Sequence, residues 1–186
     1  MLEWIILIAA AAIVLYAILI YNRLVSTRQM ANEAWSGVDV QLKRRSDLVP
    51  NLVEAVKGYA SHERELFARV TELRNMARAL PDADVAGRAK AEGALSAALG
   101  KLFALAENYP DLKASANFLE LQQELSRLES EIQMARRYYN GAVRNLNTMV
   151  ESVPSNIVAR VFGFVQRSYF ELTDAGERAV PTVNVR

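Results

Sequence analysis

His62 and Glu63 open a string, Ser61-His62-Glu63-Arg64-Glu65-Leu66, that begins like the zinc-protease pattern H-E-x-x-H. In that pattern two imidazoles one helical turn apart hold the metal and the glutamate serves as base. Here the fifth position is Leu66, and His62 is the only histidine in the chain, so the pattern cannot be completed. His62 reads instead as a surface or interhelical polar residue. The chain has no cysteine, which excludes disulfides, Cys-ligated zinc and thiol catalysis and fits a reducing compartment. Asp39, Asp47 and Glu54 supply carboxylates, yet on helices such charges usually form a solvated face. The sequence offers no nucleophile–base pair, no glycine-rich phosphate loop and no metal constellation, and it implies neither a cofactor nor an enzymatic activity. Lys and Arg number 22 against 21 Asp and Glu, for a formal net charge of +1. That balance argues against nucleic-acid binding, which calls for a concentrated basic patch.

Two charged residues stand where apolar ones belong. Steps of three and four from Trp35 reach Val38, Leu42, Arg45, Val49, Leu52, Val56, Tyr59, Glu63, Leu66, Val70, Leu73, Ala77 and Leu80. A seam kept over so many heptads predicts one long helix packed on others, ending before Pro81-Asp82. An unpaired charge inside such a seam is costly, so Arg45 and Glu63 each need a partner or a route to solvent. They lie too far apart along one helix to meet, and Asp47 points elsewhere. Partners on the third or fourth helix, or on another subunit, are expected, most simply as register-fixing polar contacts.

The elements that carry these residues are all helical. A second seam runs Phe118, Leu121, Leu125, Leu128, Ile132, Ala135, Tyr139, Ala142, Leu146, Met149 and Val153, closed by Pro154. Between the seams, Leu95, Leu99, Leu102, Ala106 and Tyr109 share a face, in a stretch whose helix propensity Gly87, Gly93 and Gly100 lower. A last helix is predicted over 156–172, with Ser155 or Asn156 as N-cap. It carries Ile157, Val161 and Phe164 on one side and Val158, Phe162, Val165, Tyr169 and Leu172 on the next. That arc is wider than one bundle interface uses, so Ile157, Val161, Phe162, Phe164 and Tyr169 are candidates for meeting a neighbouring subunit or a membrane surface. Pro50 removes an N–H and crowds the Ser46 carbonyl, which predicts a kink without loss of phase. The tail, 179–186, is strand-like in composition and is left extended.

Ahead of all this lies hydrocarbon. From Trp4 to Tyr21 there is no charge, proline or glycine, a run of about 18 residues that suffices to cross a hydrocarbon core roughly 30 Å thick as a helix. Glu3 has the wrong sign for the positive start of a cleaved signal, and Ala9-Ala10-Ala11 lies inside the apolar run, so a retained anchor is expected. Trp4, Ile5, Ile8, Leu15, Ile20 and Tyr21 mark it, with Trp4 and Tyr21 suited to the two interfaces. Arg23 and Arg28, then Lys43, Arg44 and Arg45, follow on one side. They place the N-terminus outside and the remainder in the cytoplasm. Nothing between Tyr21 and Trp35 signals a stop, so anchor and first bundle helix can be one rod. The fold expected is all-α: a transmembrane anchor over 1–22, an elongated antiparallel bundle of about four long helices over 23–178, and the tail from 179.

Several blocks then carry a resemblance. They are Tyr21-Asn22-Arg23-Leu24-Val25, Ala34-Trp35-Ser36, Asp39 to Arg45, Asp47-Leu48-Val49-Pro50-Asn51-Leu52-Val53 and Lys57 to Glu63. Later come Tyr139-Asn140, Asn145-Leu146-Asn147, Val153 to Ala159, Phe162-Gly163-Phe164 and Tyr169-Phe170-Glu171. In this order, over nearly the whole chain, they resemble the LemA family of bacterial membrane proteins. The resemblance implies an anchored antiparallel helical bundle, no enzymatic activity, and, for some relatives, a place on magnetosome membranes. Leu146 stands where relatives tend to carry tyrosine, which puts a hydrogen-bonding role at that position in doubt. Arg45, Asp47, Asn51 and Glu63, and later Tyr139 and Asn140, belong to these blocks; in an antiparallel bundle the Pro50 and Tyr139 regions can approach, and a polar layer that satisfies the carbonyl freed at Pro50 is expected there.

The function expected is non-enzymatic: a self-associating, membrane-organising scaffold in the cell membrane, with the lipid bilayer and further copies of the chain as partners. The alternative is a monomeric adaptor that presents its bundle to protein partners such as membrane proteases or signalling proteins.

Overall fold

The structure is a computed structural model and describes residues 1–60 and 62–171. Leu172 and the 179–186 tail lie outside the described residues. Among the described residues every regular element is a helix: α1 Leu2–Lys57, α2 Arg64–Ala79, α3 Val85–Ala106, α4 Pro110–Lys113, α5 Ala116–Glu151 and α6 Ser155–Val161. The all-α expectation holds, with four long helices and two short ones.

Helix α1 is unbroken from the apolar run through Pro50 to Lys57. Pro50 leaves the Ser46 carbonyl without its helical donor, and Arg74 Nε on α2 supplies one at 2.7 Å. The expectation that the Tyr139 region would meet this carbonyl is therefore corrected. A guanidinium from the next helix reaches it, because α2 folds back along the end of α1.

That fold-back is a second correction. The first seam was expected to be one helix to Leu80, but α1 stops at Lys57. The amides of Tyr59 and Ala60 both turn back to the Val56 carbonyl, at 3.0 and 2.9 Å. Gly58 weakens the helix where this happens. The seam phase resumes in α2, with Val70, Leu73 and Ala77 buried, which is why periodicity alone did not reveal the turn. Glu63, placed in the seam by counting, is exposed and sits just ahead of α2 with no side-chain capping bond.

The third correction concerns the last helix, expected over 156–172. It ends at Val161 and is preceded by Pro154, not by a Ser or Asn cap. Gly163 has φ of +70°, the left-handed conformation that glycine adopts without steric cost. The amide of Gly163 reaches the Arg160 carbonyl and that of Phe164 reaches Ala159, at 3.4 and 2.9 Å. These two bonds are a Schellman closure. The chain then runs without helix from Phe164 to Phe170.

Contacts divide the chain into two units. The first joins Met1–Asp39 to Gln133–Tyr169 and the second joins Val40–Ile132 to the described residues from Phe170. In the first, α1 and α5 run antiparallel, with Thr27 Oγ1 3.8 Å from Met149 Sδ and the Trp35 ring 5.2 Å from that of Tyr139. In the second, Val49, Leu52 and Val56 of α1 pack with Phe67, Val70 and Leu73 of α2, Leu95, Leu99 and Leu102 of α3, Leu112 of α4, and Phe118 and Leu125 of α5. Pro110 opens α4 at a position where its missing N–H costs nothing. Asp84 caps α3 by accepting from the Gly87 amide at 2.9 Å.

Candidate functional site

In the first unit the apolar run is bare. Trp4, Ile5, Ile8 and Leu15 are exposed by about two thirds of their surfaces (70, 63, 68 and 63%). A helical span of aliphatic side chains bare on all faces is long and apolar enough to cross a membrane. Packing begins at its far end. Ile20, Val25, Met149, Val150 and Val158 surround a small core of Leu24, Ala159 and Phe164. The Tyr21 ring lies 4.7 Å from Phe162 and 5.8 Å from Phe164, and the Arg28 guanidinium stands 4.9 Å over Phe164.

The segment after α6 is tied down by side chains and not by a sheet. Asn147 accepts from the Arg167 amide and donates to the Arg167 carbonyl, both at 2.9 Å. Its side-chain amide thus does for residue 167 what a neighbouring strand would do. Arg167 also donates to Asn32 Oδ1 at 2.6 Å, and Gln166 to Glu151. The Tyr139 hydroxyl donates to the Ser168 carbonyl at 3.0 Å. Burial pushes the Tyr139 hydroxyl above the ordinary tyrosine value, and the positive charge of Arg167 opposes this in part. Asn147, one of the residues that carry the family resemblance, thus has a structural role that its sequence position does not show. Leu146 beside it is buried and apolar.

In the second unit Arg45 is 1% exposed and is enclosed by charge. Its Nη2 lies 2.5 Å from Glu92 Oε2, and its Nη1 donates to Glu129 Oε2 and Ser96 Oγ at 2.7 Å each. Glu92 on α3 is 3% exposed, while Glu129 on α5 is 39% exposed. Arg45 thus finds partners on two other helices, Glu92 and Ser96 on α3 and Glu129 on α5. A cavity of about 460 Å³ opens beside Ser96, Phe103, Gln122 and Glu129. Asp47 pairs with Arg78 at 2.9 Å with both side chains more than half exposed, so the pair adds little to stability. Asn51 is exposed and lines a groove with Leu48, Glu54, Glu120 and Glu124.

The residues expected to form a polar layer are divided between the two units. Arg45 closes on Glu92, Ser96 and Glu129; Tyr139 closes on Trp35 and Ser168; Asn140 is half-buried beside Tyr139 on α5. Of the five candidate interface residues, Ile157, Val161 and Phe162 are exposed at 62, 73 and 58% and Tyr169 at 39%. Phe164 is corrected. It is 7% exposed, because Gly163 turns it inward onto Leu24. Among the described residues no three His, Cys, Asp or Glu side chains are grouped to hold a metal ion.

An all-α chain whose first helix carries a bare apolar span belongs to the class of candidate single-pass membrane proteins. More particularly, the chain belongs to the LemA family, whose family model matches residues 34–185. It is 25% identical over 186 aligned residues to magnetosome protein MamQ 2 of Paramagnetospirillum magneticum, covering 87% of this chain and 68% of the relative. It is 24% identical to magnetosome protein MamQ of Magnetospirillum gryphiswaldense, covering 89 and 70%. Protein LemA of Metamycoplasma hominis is 26% identical over 165 residues, covering 89 and 75%.

Proposed function

We propose that this protein is a non-enzymatic, single-pass membrane scaffold that self-associates and organises the membrane in which it sits. The observation that carries the reading is α1, which leaves an apolar span unpacked and continues without a break into both units. Copies that associate outside the bilayer must then also set the arrangement of their anchors within it. Met134 and Tyr138 support association, since they lie one turn apart on α5 and are 55 and 63% exposed. Relatives named as magnetosome proteins fit work on a membrane compartment. Arg23 and Arg28, just past the span, favour an outside N-terminus and a cytoplasmic bundle. The buried charges support a structural role, because Arg45 and Glu92 are spent on each other.

Crosslinking in native membranes, with the mass of the detergent-extracted particle, tests this reading. A discrete oligomer is expected, and removal of residues 1–22 should change its size as well as its location. A product that stays monomeric at every crosslinker dose overturns it. The monomeric adaptor is then the better reading, and it draws on the groove of about 630 Å³ lined by Asn51, Glu54, Glu120 and Glu124.

A further inference from the structure

Several large apolar residues after α5 are left exposed. Val153, Ile157, Val161, Phe162 and Val165 are 77, 62, 73, 58 and 73% exposed. Ile157 and Val161 are one turn apart on α6, while Ala159 on its other side is 1% exposed and packs with Leu24 and Ile20. That packing sets the level of α6 along α1 at the residues where the apolar span ends. Phe162 continues the surface onto the span itself through Tyr21, ring to ring at 4.7 Å. From Val153 to Phe170 the chain holds two arginines, Arg160 and Arg167, and no acidic residue. Arg160 is exposed beside the apolar patch.

We propose that α6 and the turn that follows it are a second membrane contact, seated in the headgroup region of the bilayer beside the anchor. The inference rests on the reading of Trp4–Tyr21 as a bilayer span. A short apolar face beside an exposed arginine suits the interface plane, where an anionic headgroup can meet Arg160. Lipid is favoured over a second copy as occupant for two reasons. The surface is continuous with the lipid-facing end of the anchor, and at that level bilayer already surrounds it. The anchor then holds the unit by two points, which fixes its tilt and rotation against the membrane.

Native cysteine is absent, so single-cysteine variants of the full chain can each carry one fluorophore in a defined place. The set is Ile157→Cys and Val161→Cys on α6, Leu15→Cys in the anchor, and Met76→Cys on α2 as an exposed reference. Each is reconstituted into phosphatidylcholine–phosphatidylglycerol vesicles and quenched by nitroxide lipids or by aqueous iodide. The expected result is lipid quenching at 157 and 161 from shallow nitroxides, with iodide access several-fold below that at 76. Iodide access at 157 and 161 equal to that at 76, with Leu15 still lipid-quenched, overturns the inference and leaves the anchor standing. Protection from iodide without lipid quenching means a protein covers the patch, and also overturns it. Loss of lipid quenching at 15 overturns the anchor reading and this inference with it.

Discussion

Replacing Arg45 by methionine is the most informative single change in the second unit. Methionine keeps an unbranched stem of similar reach but removes the guanidinium that Glu92, Glu129 and Ser96 share. Glu129 is 39% exposed and can turn to water, and the Ser96 hydroxyl can rotate. Glu92 has no such escape, since its side chain is 3% exposed. Removing one partner of a buried ion pair costs about 3–5 kcal/mol, chiefly through the charge left behind. For a chain of this length each kcal/mol moves Tm by roughly 2–4 °C, so Arg45→Met should lower Tm by roughly 6–20 °C. Arg45→Met with Glu92→Met removes both charges and should recover to within about 1 kcal/mol of the parent or exceed it. Far-UV circular dichroism of the full chain in mild detergent, followed on heating, measures all three variants beside the parent. A single variant as stable as the parent, or a double variant no better than the single, refutes the reasoning.

Three further changes address the first unit. Asn147→Leu keeps the volume but deletes both bonds to the Arg167 backbone; a loss of about 1–3 kcal/mol is expected, with faster hydrogen exchange at the Arg167 amide as the local readout. Gly163→Ala puts a side chain at φ of +70°, which costs about 1–2 kcal/mol; unchanged thermal stability would contradict the role given to this turn. Tyr139 has its hydroxyl raised in the folded state by burial, so the fold favours the protonated form. The stability it contributes is full below the unfolded value of about 10 and is lost as pH rises from there through the folded value. Tyr139→Phe should therefore flatten the alkaline end of the stability profile, at a cost of about 1 kcal/mol near neutrality for the bond to Ser168. A parent and variant with parallel profiles above pH 10 would count against the assignment.

Much of the architecture is legible in the residues themselves. The apolar run, its lack of charge and the absence of a stop before Trp35 determine a helix that opens on an apolar span and continues beyond it. Nothing from Tyr21 to Trp35 breaks the pattern, so the helix does not end with the span. The two seams determine helices, and Val38, Leu42, Val49, Leu52 and Val56 are buried where the spacing placed them. The spacing also shows that Arg45 needs a partner, because a charge on an apolar face must be compensated.

The partner is another matter. Glu92 stands in a weakly patterned, glycine-interrupted stretch, and Glu129 lies on a charged face of α5, so neither differs in sequence from a solvated carboxylate. Packing alone brings them to Arg45. The turn after Lys57 stayed hidden because α2 resumes the same phase, and a three-four repeat does not record whether the chain has reversed. Reversal is what carries Arg74 to the Ser46 carbonyl. The end of α6 was overrun for a related reason. Phe164, Val165 and Tyr169 continue a helical arc on paper, but Gly163 closes the helix and sends Phe164 inward to Leu24. Local periodicity is a property of neighbours in sequence, so the sequence by itself determines that these stretches favour helix and which faces are apolar, but not where each helix stops. Ion-pair partners, reversals and the fate of an apolar arc depend on residues far apart in the chain, and only the tertiary structure decides them.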